Sequence, residues 1–124
     1  MIETVSVIGL GKLGACMAAC IASKGFRVLG VDLLPAVVEK VGRGEAPVNE
    51  PYLGEMLAAN LERIETGGDV EAAVARADAT FIVVPTPSES SGGFSVDYAV
   101  AAARSIGRAL AHKSEYHLVV LTST

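Results

Sequence analysis

The stretch VIGLGKLGACMAAC, residues 7–20, sets Gly9, Gly11 and Gly14 between a short β-type run and a segment of small residues. Upstream, Thr4–Ile8 carries Val5, Val7 and Ile8 and stops at Gly9, which predicts a first strand. Downstream, Leu13, Ala15, Met17, Ala18, Ile21 and Ala22 suit a helix over residues 12–24, closed by Gly25. A bare GxGxxG is common by chance and alone describes only a tight turn. Its surroundings decide the reading. Arg27–Val31 is a second β-rich run, and it ends on Asp32, 18 residues beyond Gly14.

Each part of that arrangement has a physical task. Gly9 permits the turn, Gly11 lacks the Cβ that would keep a pyrophosphate from the backbone, and Gly14 lets helix and strand pack closely. The N–H groups near Lys12 and Leu13 then face the phosphates at a helix start, where the helix dipole favours negative charge. A carboxylate at Asp32 can accept hydrogen bonds from the adenosine ribose and repels a 2′-phosphate, so the expected cofactor is NAD rather than NADP. The competing role for Asp32 is to cap the helix that Pro35 begins. Two roles also stand open for Lys12, beside phosphate or simply solvated.

Cys16 and Cys20 lie one helical turn apart, a poor geometry for a disulfide. A metal site would need His112 and His117, both remote in sequence. The two cysteines are therefore expected to be reduced thiols buried against the sheet, packing as small hydrophobes.

Along the rest of the chain, strands and helices alternate. Pro35 opens a helix ended by Gly42 and Gly44, and Pro51 fits the first position of another that carries Leu53, Met56, Leu57 and Leu61. A short strand over residues 64–66 is followed by Asp69, which can cap a helix over Val70–Arg76. Residues 80–84 form a buried strand stopped by Pro85-Thr86-Pro87, and residues 88–93 form a polar loop. Ser95 can cap a last helix over residues 96–111, and Leu118–Leu121 is the final strand. The alternation implies right-handed crossovers and an α/β, Rossmann-like, doubly wound parallel sheet of five strands in order 3-2-1-4-5. The chain stops just after the fifth strand, so we expect one NAD-binding domain over residues 1–124, cut before a sixth strand.

The bulk properties exclude several other classes. Ten basic residues against fourteen acidic ones, with no basic cluster, disfavour a nucleic-acid partner. The longest strongly apolar stretch, residues 13–22, is half of the roughly 20 residues a membrane span needs, and it lacks a basic start. A cytoplasmic protein with no membrane partner is expected.

Beyond the glycine turn, the sequence resembles the N-terminal domain of the UDP-glucose/GDP-mannose dehydrogenase family over essentially its full length. The carriers are VIGLGKLG, GVD, RGEAPVNEPYL, ADATFIVVPTP and the terminal LTST. RGExPxxEP and VPTP are the specific ones, since a general dinucleotide fold needs neither; read blandly, they are a helix-ending Arg-Gly pair and a proline stop. The resemblance implies that Gly9, Gly11, Lys12, Leu13, Gly14 and Asp32 hold the adenosine and pyrophosphate, with Pro85, Thr86 and Thr124 on the nicotinamide side. Thr86 has a plain alternative as a hydroxyl serving only its own turn.

By resemblance, the family oxidises the primary alcohol of a nucleotide-linked sugar to a carboxylate with two NAD, through covalent intermediates on a cysteine. That cysteine belongs to a later part of family members, so no catalytic residue falls in this chain beyond an auxiliary role for Thr124, and the isolated chain is expected to be inactive. The nucleotide-sugar substrate would bind through the missing domain, and the full-length protein is implied to be a homo-oligomer. Three positions depart from the pattern: Val37 replaces a basic residue, Tyr52 replaces the glycine of EPGL, and Thr122 replaces a basic residue before Ser-Thr. Two other readings compete, a non-catalytic NAD-sensing module and the cofactor domain of a β-hydroxyacid-type dehydrogenase.

Overall fold

Strand β1 (Thr4–Ile8) is the middle strand of a parallel sheet, flanked by β2 (Arg27–Val31) and β4 (Ala79–Ile82). β3 (Ile64–Gly67) lies outside β2 and β5 (Leu118–Leu121) outside β4, giving the order β3-β2-β1-β4-β5 in the computed structural model, which describes residues 1–123. The register aligns Ile8 with Val31 and Ile82, so the three central strands end at one level. That level is where a doubly wound sheet offers its ligand crevice. The order is the one expected from the alternation of elements.

Helices cover both faces, as a parallel sheet with apolar residues on both sides requires. α1 (Lys12–Ser23), α2 (Pro35–Gly42) and α3 (Leu53–Ala59) enclose a core of Val7, Leu10, Val28, Val41, Leu57 and Ile64. The α1 contribution is Ala15, Ala18, Ala19 and Ala22, all fully buried, and such short side chains bring the helix close to the strands. α4 (Val70–Arg76) and α5 (Asp97–Leu110) cover the other face, over Ile8, Leu29, Val31, Val74, Ile82 and Ile106. Truncating a fully buried residue such as Leu57 to alanine would cost about 2–5 kcal/mol.

The local signals account for most element ends. Pro35 is the first residue of α2, and the Asp69 carboxylate caps α4 by accepting the Ala72 N–H at 3.1 Å. Gly25 follows α1 with φ of +97°. Arg43 ends α2, and Gly44 behind it takes φ of +79°. Gly30 of the GVD motif is a packing residue, since a Cβ there would lie 3.1 Å from the Leu10 methyls.

Several boundaries differ from expectation, among them the end of α3 at Ala59, which leaves Leu61 to a separate 3-10 turn over Leu61–Arg63. β4 ends at Ile82 rather than at residue 84 because β1, its partner, turns away at Gly9. β3 runs one residue further, to Gly67, in pairing with Val31. α3 starts at Leu53, since Tyr52 before it takes a left-handed conformation with φ of +66°. α5 starts at Asp97, and Ser95 sits one residue too early to cap it; its hydroxyl accepts the Asp97 N–H at 3.3 Å instead.

Candidate dinucleotide site

The turn between β1 and α1 is fixed by two contacts that only glycine allows. A Cβ on Gly9 would lie 2.6 Å from the Val83 carbonyl oxygen, and Gly9 has φ of +102°. A Cβ on Gly14 would lie 1.8 Å from the carbonyl oxygen of Gly9 itself. Gly11 is different: a Cβ there would meet nothing within 4 Å. Its bare backbone faces open space, while Gly9 and Gly14 are required by packing.

Gly11 precedes α1 in an extended conformation, and no side chain caps the helix start. No acidic residue occupies its first turn either. The first N–H groups of α1 are therefore left for an external acceptor, at the end of a twelve-residue helix whose dipole favours an anion.

Asp32 sits beside this turn, just beyond β2. One carboxylate oxygen accepts the Leu10 N–H at 2.8 Å and the other accepts the Leu34 N–H at 2.9 Å. Both roles weighed for Asp32 thus converge, because Leu34 is the residue that precedes α2. A carboxylate oxygen can accept more than one hydrogen bond, so acceptor capacity remains toward the cavity that Asp32 lines.

That cavity, of about 530 Å³, runs along the carboxyl ends of the strands. Gly9, Gly11, Lys12, Leu13, Gly14, Asp32 and Pro85 all line it, whereas Thr86 is not among the lining residues. Thr124 lies outside the described residues. The residues before it are pinned there: the Thr122 hydroxyl donates to the Ile82 carbonyl at 2.9 Å, and the Ser123 hydroxyl to that of Val84 at 2.8 Å.

Lys12 is solvated and ion-paired, its ammonium 3.3 Å from Glu50 of the RGEAPVNEP segment. Val37 lines the cavity together with Leu33 and Leu34, giving an apolar wall where the resemblance implies a basic residue. Sequence reasoning missed a further wall, Tyr98, Ala102 and Ser105 of α5. These residues follow i, i+4, i+7 spacing, whereas the parallel series Val96, Val100, Ala103 and Gly107, the one that suggests the helix in the sequence, lies on its exposed face.

The expectation for the cysteines is corrected. Cys20 is exposed and Cys16 only half-buried at the margin of the core, because the alanines of α1 take the sheet-facing stripe. Burial pushes the Cys16 thiol above its ordinary pKa, with Glu50 and Cys20 acting the same way and Lys12 opposing them. Among the described residues no cluster of His, Cys, Asp and Glu could hold a metal ion.

Residues 3–124 match the family model for the NAD-binding domain of the UDP-glucose/GDP-mannose dehydrogenase family. The chain belongs to this family. It is 37% identical to the GDP-mannose 6-dehydrogenase of Azotobacter vinelandii over 97% of its own length and 28% of that enzyme's. Among solved structures it resembles a ternary complex of GDP-mannose dehydrogenase from Pseudomonas aeruginosa, with a TM-score of 0.94, 36% identity and coverage of 97% and 28% of the two chains. It equally resembles a UDP-glucose dehydrogenase from Pyrobaculum islandicum, with a TM-score of 0.94, 40% identity and coverage of 100% and 29%. The chain thus spans little more than a quarter of these relatives, the quarter that forms the NAD-binding domain of the family. The glycine turn, the uncapped helix start and Asp32 are the groups an NAD-binding domain needs, and the cavity they line is of ordinary size for such a ligand. No helix among the described residues is long and apolar enough to cross a membrane.

Proposed function

We propose that this chain is the cofactor half of an enzyme that oxidises the primary alcohol of a UDP- or GDP-linked sugar to a carboxylate, with the substrate half and its nucleophilic cysteine in further sequence. Oxidation of RCH2OH to RCOO⁻ consumes two NAD⁺ and one water and yields two NADH and three H⁺. NAD supplies the hydride acceptor. The single observation that carries the reading is the uncapped start of α1 beside Asp32, opening on one cavity at the carboxyl ends of the strands.

Within this scheme the chain's own residues bind and orient. The N–H groups of Lys12 and Leu13 donate to pyrophosphate oxygens, with Gly9, Gly11 and Gly14 shaping the turn that presents them. Asp32 accepts from the adenosine ribose, and the apolar wall of Leu33, Leu34 and Val37 receives the base. Pro85, Thr86 and Thr124 serve the nicotinamide end, Thr124 as an auxiliary to chemistry carried out elsewhere. The complete enzyme acts in the cytoplasm as a homo-oligomer, and these 124 residues alone bind NAD without turning over substrate. RGEAPVNEP and VPTP favour this reading over a regulatory NAD-sensing module or a β-hydroxyacid-type enzyme.

Titration calorimetry of the chain with NAD and NADP tests the proposal. Binding of NAD with at least tenfold preference over NADP supports it, and equal affinity or no binding contradicts it.

A further inference from the structure

Ser6 and Thr80 are the buried polar side chains of the core, and they face each other across β1 and β4 with their hydroxyl oxygens 2.6 Å apart. Thr80 Oγ1 also lies 2.7 Å from Nε2 of His117, the residue just before β5. On the other side of the ring, His117 Nδ1 lies 3.0 Å from Lys113 Nζ. The Lys113 ammonium also donates to the Val74 carbonyl at 3.0 Å and to that of Ala77, both at the end of α4.

The direction of this chain of hydrogen bonds follows from its donors. An ammonium can only donate, so His117 Nδ1 accepts, and the one proton of the neutral ring sits on Nε2 and goes to Thr80. The Thr80 hydroxyl then donates to Ser6, whose own proton points to the Ala79 carbonyl at 3.5 Å. Every member is satisfied in this single arrangement, which requires neutral histidine.

β5 depends on this anchor because its apolar packing is thin. Leu118, Val119 and Leu121 are exposed, and among the described residues the strand pairs only with β4. Its far end carries Thr122 and Ser123, hydrogen-bonded to Ile82 and Val84 at the edge that bears the cavity.

We propose that His117 is a proton-sensitive latch: the neutral ring docks β5 onto the sheet, and a second proton on Nδ1 releases the strand together with its Thr122–Ser123 end. Protonation removes the acceptor for Lys113 and sets two cations 3.0 Å apart in a partly buried position. Two charged groups face the ring, Lys113 from the turn after α5 and Asp78 from the turn between α4 and β4. The Ala77 carbonyl and, after it, Asp78 favour the cation, and Asp78 Oδ2 also accepts the N–H groups of Glu3 and Thr4 at 2.9 and 3.0 Å. Burial first, and Lys113 second, accordingly hold His117 below its ordinary pKa. The released strand leaves the ring at the ordinary value near 6.5, so docking is complete above about pH 6.5 and weakens as pH falls toward the docked value.

Amide hydrogen exchange on the 124-residue chain at pH 7.5 and 5.5, corrected for intrinsic rates, reads the latch directly. Protection of Leu118–Leu121 is expected to fall at least about threefold at pH 5.5 while β1 protection is unchanged. His117→Gln keeps an amide donor toward Thr80 and an acceptor toward Lys113 without titrating, and should make β5 protection independent of pH. Parallel loss in β1 and β5, or an unchanged pH response in His117→Gln, would overturn the proposal. NMR titration of the His117 ring in the unmodified chain needs no variant: a midpoint below about 6.5 is expected, and one at or above it contradicts the latch.

Discussion

The carboxylate of Asp32 accepts the Leu10 N–H at 2.8 Å, so the residue just beyond β2 holds the glycine turn that follows β1. Its second oxygen holds Leu34 at the start of α2. Asp32 therefore shapes the site as well as lining its cavity. Asp32→Ala should lower stability by about 1–3 kcal/mol in urea denaturation and erode the preference for NAD over NADP. Asp32→Asn retains one acceptor oxygen and should lose less stability than the alanine variant.

Tyr52 stands in the left-handed region with φ of +66°, the one non-glycine residue among those described to do so. That explains physically why a glycine suits this point of the EPxL segment. Left-handed backbone costs a non-glycine residue about 1–2 kcal/mol, partly offset by the greater unfolded freedom of glycine. Tyr52→Gly should therefore raise stability by about 0.5–1 kcal/mol, seen as a higher midpoint in thermal or urea unfolding.

The exposure of Cys20 and the raised thiol of Cys16 predict unequal reactivity. Thiolate is the reactive form, so burial and a raised pKa both slow Cys16. Alkylation of the folded chain followed by mass spectrometry should label Cys20 first and Cys16 several-fold more slowly. Equal rates would contradict this placement.

Asp78 ties the amino end of β1 to the turn before β4. The N–H groups of Thr4 and Glu3 hold its carboxyl below the ordinary carboxylate range. A depressed acid contributes stability above its unfolded pKa, near 3.9, and loses it as pH falls through the folded value. Urea midpoints measured between pH 6 and pH 3 should therefore fall less steeply in Asp78→Asn than in the unmodified chain.

Most of the sheet was legible because parallel strands buried on both faces read as β-rich runs and because Pro35, Gly25 and Asp69 are strong local punctuation. What escaped depends on contacts distant in sequence. Tyr52 gave no warning of its backbone, the helical spacing legible in α5 runs through Val96, Val100 and Ala103 on its exposed face rather than through its cavity wall, and Cys16 and Cys20 looked buried because α1 is rich in small residues throughout. The His117 chain joins directly bonded residues up to 74 positions apart, and no local pattern announces it. Within the site, the glycines and Asp32 were legible through their spacing and the strands and helix around them, whereas the hold of Asp32 on Leu10 required coordinates.

The three glycines of the turn have separable tasks. Gly14→Ala would drive a Cβ into the Gly9 carbonyl oxygen and should cost more than about 3 kcal/mol or prevent folding. Gly11→Ala adds a methyl group where no protein atom lies within 4 Å, at a backbone conformation alanine accepts. Its effect on stability should stay within about 1 kcal/mol.

NAD titration of the Gly11→Ala chain beside the unmodified chain, both shown to be folded, is the most direct test. If the open space before α1 is where the pyrophosphate is held, affinity for NAD falls tenfold or more while the unfolding midpoint barely moves. Equal affinity in the two chains would contradict the assignment of this turn as the cofactor cradle.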